Sequence, residues 1–235
     1  MAERPIFVPA TTGNDLVKEI FLQMQWHPGF APSQKEKNID ALHSAAKIAG
    51  YEPLLEISSK SKRKSGQHLS AFHLKVKSDQ HGEIPLECAF QGSKVFERGG
   101  PFTDLYDTEP RDAKRDPRLK DSGALTAFKF DGFTFPLEPK TIFYDWLYIT
   151  SIYPHREWCK RLNHFAGFTD IEFNPYRSVN CQARSCALFL SLMKRDRLDE
   201  ASKSPHSFIR VISDYDYRPQ LRIEDDSKPP LFADE

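Results

Sequence analysis

Three side chains able to do chemistry stand at i, i+4 and i+7 in the run PLECAFQGSKVFERGG: Glu87, Gln91 and Lys94. On a helix that spacing projects all three from one face. A carboxylate can move a proton, an amide can hold a polar group in place, and an amine can act as nucleophile or as charge. The same period also describes a solvated polar stripe opposite Leu86, Ala89, Phe90 and Phe96, so spacing alone leaves both readings open. Asp170 and Glu172 lie in a turn before Asn174-Pro175, suited either to orienting hydroxyls or to capping that turn. Two segments offer donors to a pyrophosphate or ordinary loop solvation. Ser58, Ser59 and Lys60 supply hydroxyls, backbone N–H groups and a cation, and Ser178 and Asn180 open a helix beside Arg177 and Arg184. Trp146 can stack on a base or sit in a core. The basic runs at residues 60–64 and 111–120 can track phosphates or simply be solvated. The eight histidines form no HxxxH or HxH pair and the four cysteines no CxxC, so no metal and no cofactor is expected.

These residues need elements to position them. Residues 17–26 read as a strand. Residues 69–77 read as another, because Phe72, Leu74 and Val76 alternate onto one face. Between them, residues 33–49 carry Ile39, Leu42, Ala46 and Ala49 at helical spacing, with Ser33 and Glu36 as a capping box and Gly50 as the stop. A helix is expected over residues 86–98, ended by Gly99-Gly100-Pro101, and a polar loop over residues 104–121. Asp131-Gly132 between Phe-rich arms predicts a hairpin over residues 125–137. Helices follow at residues 140–152, 155–166 and 180–197, the last being the final long one. The expectation is an α+β domain over residues 1–212, with a β-rich N-terminal extension of about 80 residues, mainly helical C-terminal two-thirds, and a charged, Pro-broken tail at residues 213–235.

Composition narrows the function classes. Lys plus Arg and Asp plus Glu are equal at 33 each, so no whole-molecule field draws the chain to nucleic acid or membrane, and any polyanion contact must be local. The longest strongly apolar window, residues 186–193, is far shorter than the roughly 20 residues a membrane helix needs. The opening MAERPIFVPA lacks the basic-then-apolar plan of a signal peptide, so a cytoplasmic protein with no membrane partner is expected. Cys88, Cys159, Cys181 and Cys186 are expected to be reduced and mostly buried.

The run from Glu87 through Gln91 and Lys94 to Val95-Phe96 resembles the E-x-x-x-Q-x-x-K-F signature of the NADAR (YbiA-like) superfamily. Further likenesses follow in order: Tyr144-Asp145-Trp146, Phe168-Thr169-Asp170, and the segment from Asn180 through Gln182 and Arg184 to Leu192-Met193 and Arg195. LEISSKS, LSAF, GGPFTDLY, AKRDPRL and EFNPYRSVNCQAR are most similar to the branch associated with DarT-type DNA ADP-ribosyltransferase toxins. The likeness spans roughly residues 4–212. It implies a single NADAR domain and an N-glycosidase that frees guanine in DNA from ADP-ribose, releasing ADP-ribose and acting as antitoxin to the cognate toxin. It implies Glu87, Lys94 and Asp170 as catalytic residues. Ser58, Ser59, Lys60, Gln91, Trp146, Ser178, Asn180, Gln182 and Arg184 would bind substrate. The aromatic positions that follow the glutamate in riboflavin-pathway members are here Cys88 and Ala89, which points away from small riboflavin precursors. Glycosidase action on a free nucleotide and neutralisation of a toxin by binding alone are the competing readings.

Overall fold

In the computed structural model, which describes residues 1–219, β1 (Ala2–Pro9) and β2 (Val17–Met24) pair antiparallel over their full lengths. α1 (Pro32–Ile48) buries Ile39, Leu42 and Ala46 against Ile6, Met24 and Leu54. Its start corrects the expected capping box. Ala31 is the N-cap without a side-chain hydrogen bond, and Pro32, whose ring presets a helical φ, opens the first turn one residue ahead of Ser33. Its end is as expected: Gly50, at φ +87°, donates to the Lys47 carbonyl at 3.0 Å while Tyr51 donates to Ala46 at 2.8 Å.

After β3 (Leu54–Glu56) and the short α2 (Lys64–His68), the strand expected over residues 69–77 begins only at Lys75, as β4 (Lys75–Ser78), which pairs with β5 (Gly82–Pro85). The reason is where the backbone groups go. Tyr148 donates its hydroxyl to the Leu69 carbonyl at 2.8 Å, the Ala71 N–H is taken by the Gln182 side chain at 2.9 Å, and the N–H groups of Leu69, Ser70, His73 and Leu74 bond to nearby backbone carbonyls, so this stretch is held by turns and side chains and not by a strand partner.

The helix expected over residues 86–98 is α3 (Leu86–Gly92), and the remainder is a strand, β6 (Lys94–Phe96). Gly92 and Ser93 are weak helix formers, whereas Val95 and Phe96 suit a pleated pairing. The region expected to be loop carries α4 (Pro110–Arg115) and α5 (Arg118–Asp121). β7 (Leu125–Phe130) and β8 (Phe133–Phe135) form the expected hairpin, with Asp131 and Gly132 both at positive φ, and β6 adds to it on the far side of β7.

α6 (Ile142–Ile152) is buried along nearly its whole length. The helix expected over residues 155–166 is broken into α7 (Arg156–Cys159) between two 3-10 turns. β9 (Gly167–Thr169) enters the first sheet, giving the order β2-β1-β9-β3, parallel to β3 and antiparallel to β1. The N-terminal strands therefore share a sheet with a strand from the second half of the chain. α8 (Gln182–Lys194), buried throughout its first eleven residues, is followed by α9 (Leu198–Ala201) and α10 (Pro205–Ser213).

Phe90, Phe128, Phe130, Phe135, Phe143 and Trp146 form an aromatic core between α3, α6 and the β6-β7-β8 sheet. All four cysteines are buried free thiols. Among the described residues no helix is long and apolar enough to cross a membrane.

Packing continues past residue 212. Tyr217 is buried and donates to Asp145 Oδ2 at 2.7 Å, Ser185 donates to Asp145 Oδ1 at 2.6 Å, and Arg184 reaches Tyr217 and Glu19. The rest of the expected tail, residues 220–235, lies outside the described residues. Tyr217→Phe leaves a buried carboxylate oxygen short of a donor, so it should lower unfolding stability by about 1–3 kcal/mol. Urea denaturation at unchanged m checks this.

Candidate active site

A cleft of about 710 Å³ opens between α3, α6, the hairpin and the loop that precedes α8. Glu87, Gln91, Lys94, Tyr144, Asp170 and Gln182 are among the residues that line it, and the exposed Lys114, Lys140 and Arg177 stand among its charged lining residues.

Glu87, Gln91 and Lys94, expected on one face of one helix, are joined in a hydrogen-bonded relay, with Lys94 on a strand and not on the helix. Glu87 and Gln91 are one helical turn apart on α3, and the Gln91 amide donates to Glu87 Oε1 at 2.8 Å. Lys94 then reaches back from β6 and donates to Gln91 Oε1 at 2.6 Å. Gln91 thus links the carboxylate to the amine through its two ends. Two glycines allow the close packing here, Gly92 at the end of the helix and Gly100 beyond the strand. A Cβ on Gly92 would stand 2.6 Å from the Tyr106 ring and 2.9 Å from the Phe102 carbonyl. Gly100, at φ +86°, lets the chain pass so close to the Lys94 carbonyl that a Cβ would stand 2.2 Å from it.

Burial pushes the Lys94 ammonium down to about 8. Glu87 opposes that shift and Lys114 adds to it. The amine also lies 4.8 Å from the centre of the Phe90 ring. At pH 7 about a tenth of it is therefore the free, nucleophilic base, far more than for a lysine in water.

Asp170 faces the same cleft from the turn after β9. Burial first, and the charge of Glu56 second, push its carboxyl up to about 8. The Gln182 side chain, whose carbonyl oxygen holds Ala71, also bonds to Asp170. Tyr144 completes the floor. Burial, with Glu87 and Asp170 nearby, holds its phenol well above the ordinary value, so it is a neutral O–H donor.

Of the remaining expected binders, Ser178 and Asn180 line the cleft. The Ser178 hydroxyl is turned to the Asn180 carbonyl at 3.2 Å, whereas Asn180 Oδ1 is buried with no partner among the described residues. The others stand outside the cleft lining. Ser58 is buried and donates to Glu56 Oε1 at 2.8 Å, and Ser59 and Lys60 are exposed beside it. Trp146 belongs to the aromatic core, 5.1 Å from the Phe135 ring centre. Arg184 is buried and bound to Glu19 at 2.6 Å. Trp146 and Tyr144 are about 200° apart around a helix, so only one can face the cleft, and it is Tyr144. The Tyr144-Asp145-Trp146 motif contains this residue, but no local signal chooses between the two rings. Glu56 likewise sits inside the LEISSKS motif and carries no sequence mark of its burial. The basic runs are partly neutralised locally, Lys62 by Asp40 at 2.7 Å and Arg118 by Asp104 and Asp116 at 2.6 and 2.9 Å.

The single α+β domain with this relay at its cleft is a NADAR domain. Over residues 2–221 the chain matches the family described as DarT1-associated NADAR antitoxins, and it belongs to that family. No curated protein matches it.

The electrostatics of the relay can be tested without a substrate. Glu87→Gln removes an anion that favours the ammonium and should lower the Lys94 pKa, while Lys114→Ala removes a repelling cation and should raise it. The pH dependence of reductive methylation at Lys94, followed by peptide mass spectrometry, reads both. Unchanged midpoints in the two variants would contradict the assignment.

Proposed function

We propose that the protein is an ADP-ribosylguanine glycohydrolase of the cytoplasm, removing ADP-ribose from guanine in DNA and so reversing the product of a DarT1-type toxin. The observation that carries this reading is the Glu87–Gln91–Lys94 relay with a lysine near neutrality. Breaking the bond between the anomeric carbon and the guanine nitrogen sends the bonding pair to nitrogen, which takes up a proton, and leaves positive charge on the sugar carbon. The neutral amine of Lys94 adds to the electron-poor carbon, and the Glu87 carboxylate, which faces that charge, takes the proton the amine sheds and passes it to the departing nitrogen. The ring carbon–oxygen bond then breaks, its electron pair and the second amine proton go to the ring oxygen, and the resulting imine is hydrolysed by water to free ADP-ribose and the original amine. Tyr144 and Asp170 offer donors to ribose oxygens, and Asn180 Oδ1 offers an unused acceptor. Ser178 lies in the same lining, while Lys114, Lys140 and Arg177 make no ion pair among the described residues and are suited to the phosphates.

The test is incubation with an ADP-ribosylated oligonucleotide and mass spectrometry for free ADP-ribose and unmodified DNA. Glu87→Gln should cut turnover by about a hundredfold or more while ADP-ribose still binds. Protection of cells from the toxin by Glu87→Gln at full strength would instead favour neutralisation by binding alone. Lys94→Arg keeps the charge but cannot form an imine, and should lose most activity. Borohydride should trap ADP-ribose on the wild-type peptide containing Lys94, and normal turnover of Lys94→Arg without an adduct would overturn the covalent step. If DNA is the substrate, affinity should fall steeply with salt. Replacing Lys140 or Arg177 with Ala should then reduce the log–log slope by about 1 for each phosphate left without its cation. A free-nucleotide substrate should show little such dependence.

A further inference from the structure

Glu56 lies on β3 behind the cleft and takes no part in the mechanism above, yet it is among the most buried charged side chains of the described residues, at 2% exposure. Its carboxylate receives three donors. The Ile171 backbone N–H and the Ser58 hydroxyl meet Oε1 at 2.9 and 2.8 Å, and the Thr169 hydroxyl meets Oε2 at 2.6 Å. Thr169 in turn accepts from His43 Nε2 at 3.0 Å, because its own proton is given to Glu56. Two of the three donors, Thr169 and Ile171, are the residues on either side of Asp170. One carboxylate therefore grips the chain both before and after the group that faces the substrate.

Asp170 is supplied differently. It bonds to the Glu172 N–H at 3.1 Å and to the Gln182 side chain, and the Cys181 thiol is 3.9 Å away. The titratable groups that face it are Glu56 from β3, Glu172 in its own turn, Tyr144 from α6 and Cys181 ahead of α8. Lys35 from α1 binds Glu172 at 3.3 Å, and His43, also on α1 and pushed down to about 4 by burial, is neutral at pH 7. Two buried carboxyls without a cation between them do not both ionise readily. We propose that Glu56 is a positioning residue that clamps both flanks of Asp170 and keeps the single negative charge of the pair on itself, so that Asp170 meets the substrate as a hydrogen-bond donor. The acceptor, on the function proposed above, is a ribose hydroxyl or ring oxygen. A neutral donor holds such an oxygen without pulling the developing positive charge away from Glu87. Burial raises the Glu56 carboxyl as well, but the donors from Ile171, Thr169 and Ser58 oppose that rise, whereas Asp170 is pushed up both by burial and by Glu56, which agrees with this division of charge.

Glu56→Gln is the probing substitution. Its carbonyl can still accept from Ile171 and Ser58, and its amide can donate to Thr169, which then donates to the other tautomer of His43, so the clamp is kept and only the charge is lost. The midpoint of the Asp170 carboxyl, read by carbon-13 NMR of the side chain, should fall by about one pH unit or more. An Asp170 midpoint unmoved by Glu56→Gln overturns the proposal. This readout needs no substrate, so it stands or falls apart from the glycohydrolase reading, which fails if wild-type protein leaves the modified oligonucleotide intact. Where turnover is measured, the alkaline limb of kcat/KM should move to lower pH in Glu56→Gln, whereas a merely structural role would lower the profile at every pH without moving it. Should Glu56→Gln not fold, Ser58→Ala and Thr169→Val each remove one donor from Glu56 and should move the Asp170 midpoint in the same downward direction. No movement in either would refute the division of charge.

Discussion

Residues 54–56 lie parallel to residues 167–169, and the rest of the site depends on that pairing. A parallel pair cannot be closed by a tight turn, and the chain spends the intervening residues building the other wall of the cleft. Once Leu55 stands beside Phe168, Glu56 stands beside Thr169, and the next backbone N–H available to its carboxylate is that of Ile171. Asp170 is left pointing toward α3 and α6. The short β9 therefore does more than complete a sheet, since it places a carboxyl in the cleft that Glu87 also lines.

A second polar centre ties the layers behind the site. Asp145 on α6 is buried and accepts from Ser185 on α8 and from Tyr217 beyond α10, while Arg184 joins Tyr217 and Glu19 on β2. Such a group is stable only while every partner is present, because an unpaired buried charge costs more than the intact arrangement contributes. The consequence is positional. α6 cannot slide along α8 without breaking these bonds, so Tyr144, one residue before Asp145, is held at a fixed height on the cleft floor.

Electrostatics in the cleft follow from the same exclusion of water. Lys94 would be fully charged in bulk water but is drawn toward neutrality by burial, with Glu87 and Lys114 pulling in opposite directions. Asp170 is drawn toward neutrality from the other side by burial and by Glu56. An amine and an acid that are ordinarily fully charged thus line one cleft with the charged form of each made less favourable. That arrangement favours addition of the amine to a carbon and donation of a hydrogen bond by the acid over formation of an ion pair between them.

Much of this is legible in the residues alone. The one-turn spacing of Glu87 and Gln91, the hairpin at Asp131-Gly132, the stop at Gly50 and the family likeness all rest on interactions within a few residues or on an ordered set of motifs. Local periodicity cannot report which side of an element its partner will cover. Residues 94–96 are a strand because β7 is there to pair with them, and Lys94 still meets Gln91 by reaching back across the bend. Tyr144 faces the cleft and Trp146 the core because the aromatic cluster lies on one side of α6 only. Ser58 reads locally as a phosphate donor, but in the fold its hydroxyl belongs to Glu56. Glu56 itself, 113 residues from Thr169 in the chain, acquires its role only when two distant strands are laid side by side. The sequence determined which chemical groups were available and how near neighbours would coil. Which of those groups lost water, and therefore changed their acidity and their partners, was decided by tertiary packing, because burial depends on contacts that no local stretch of sequence contains.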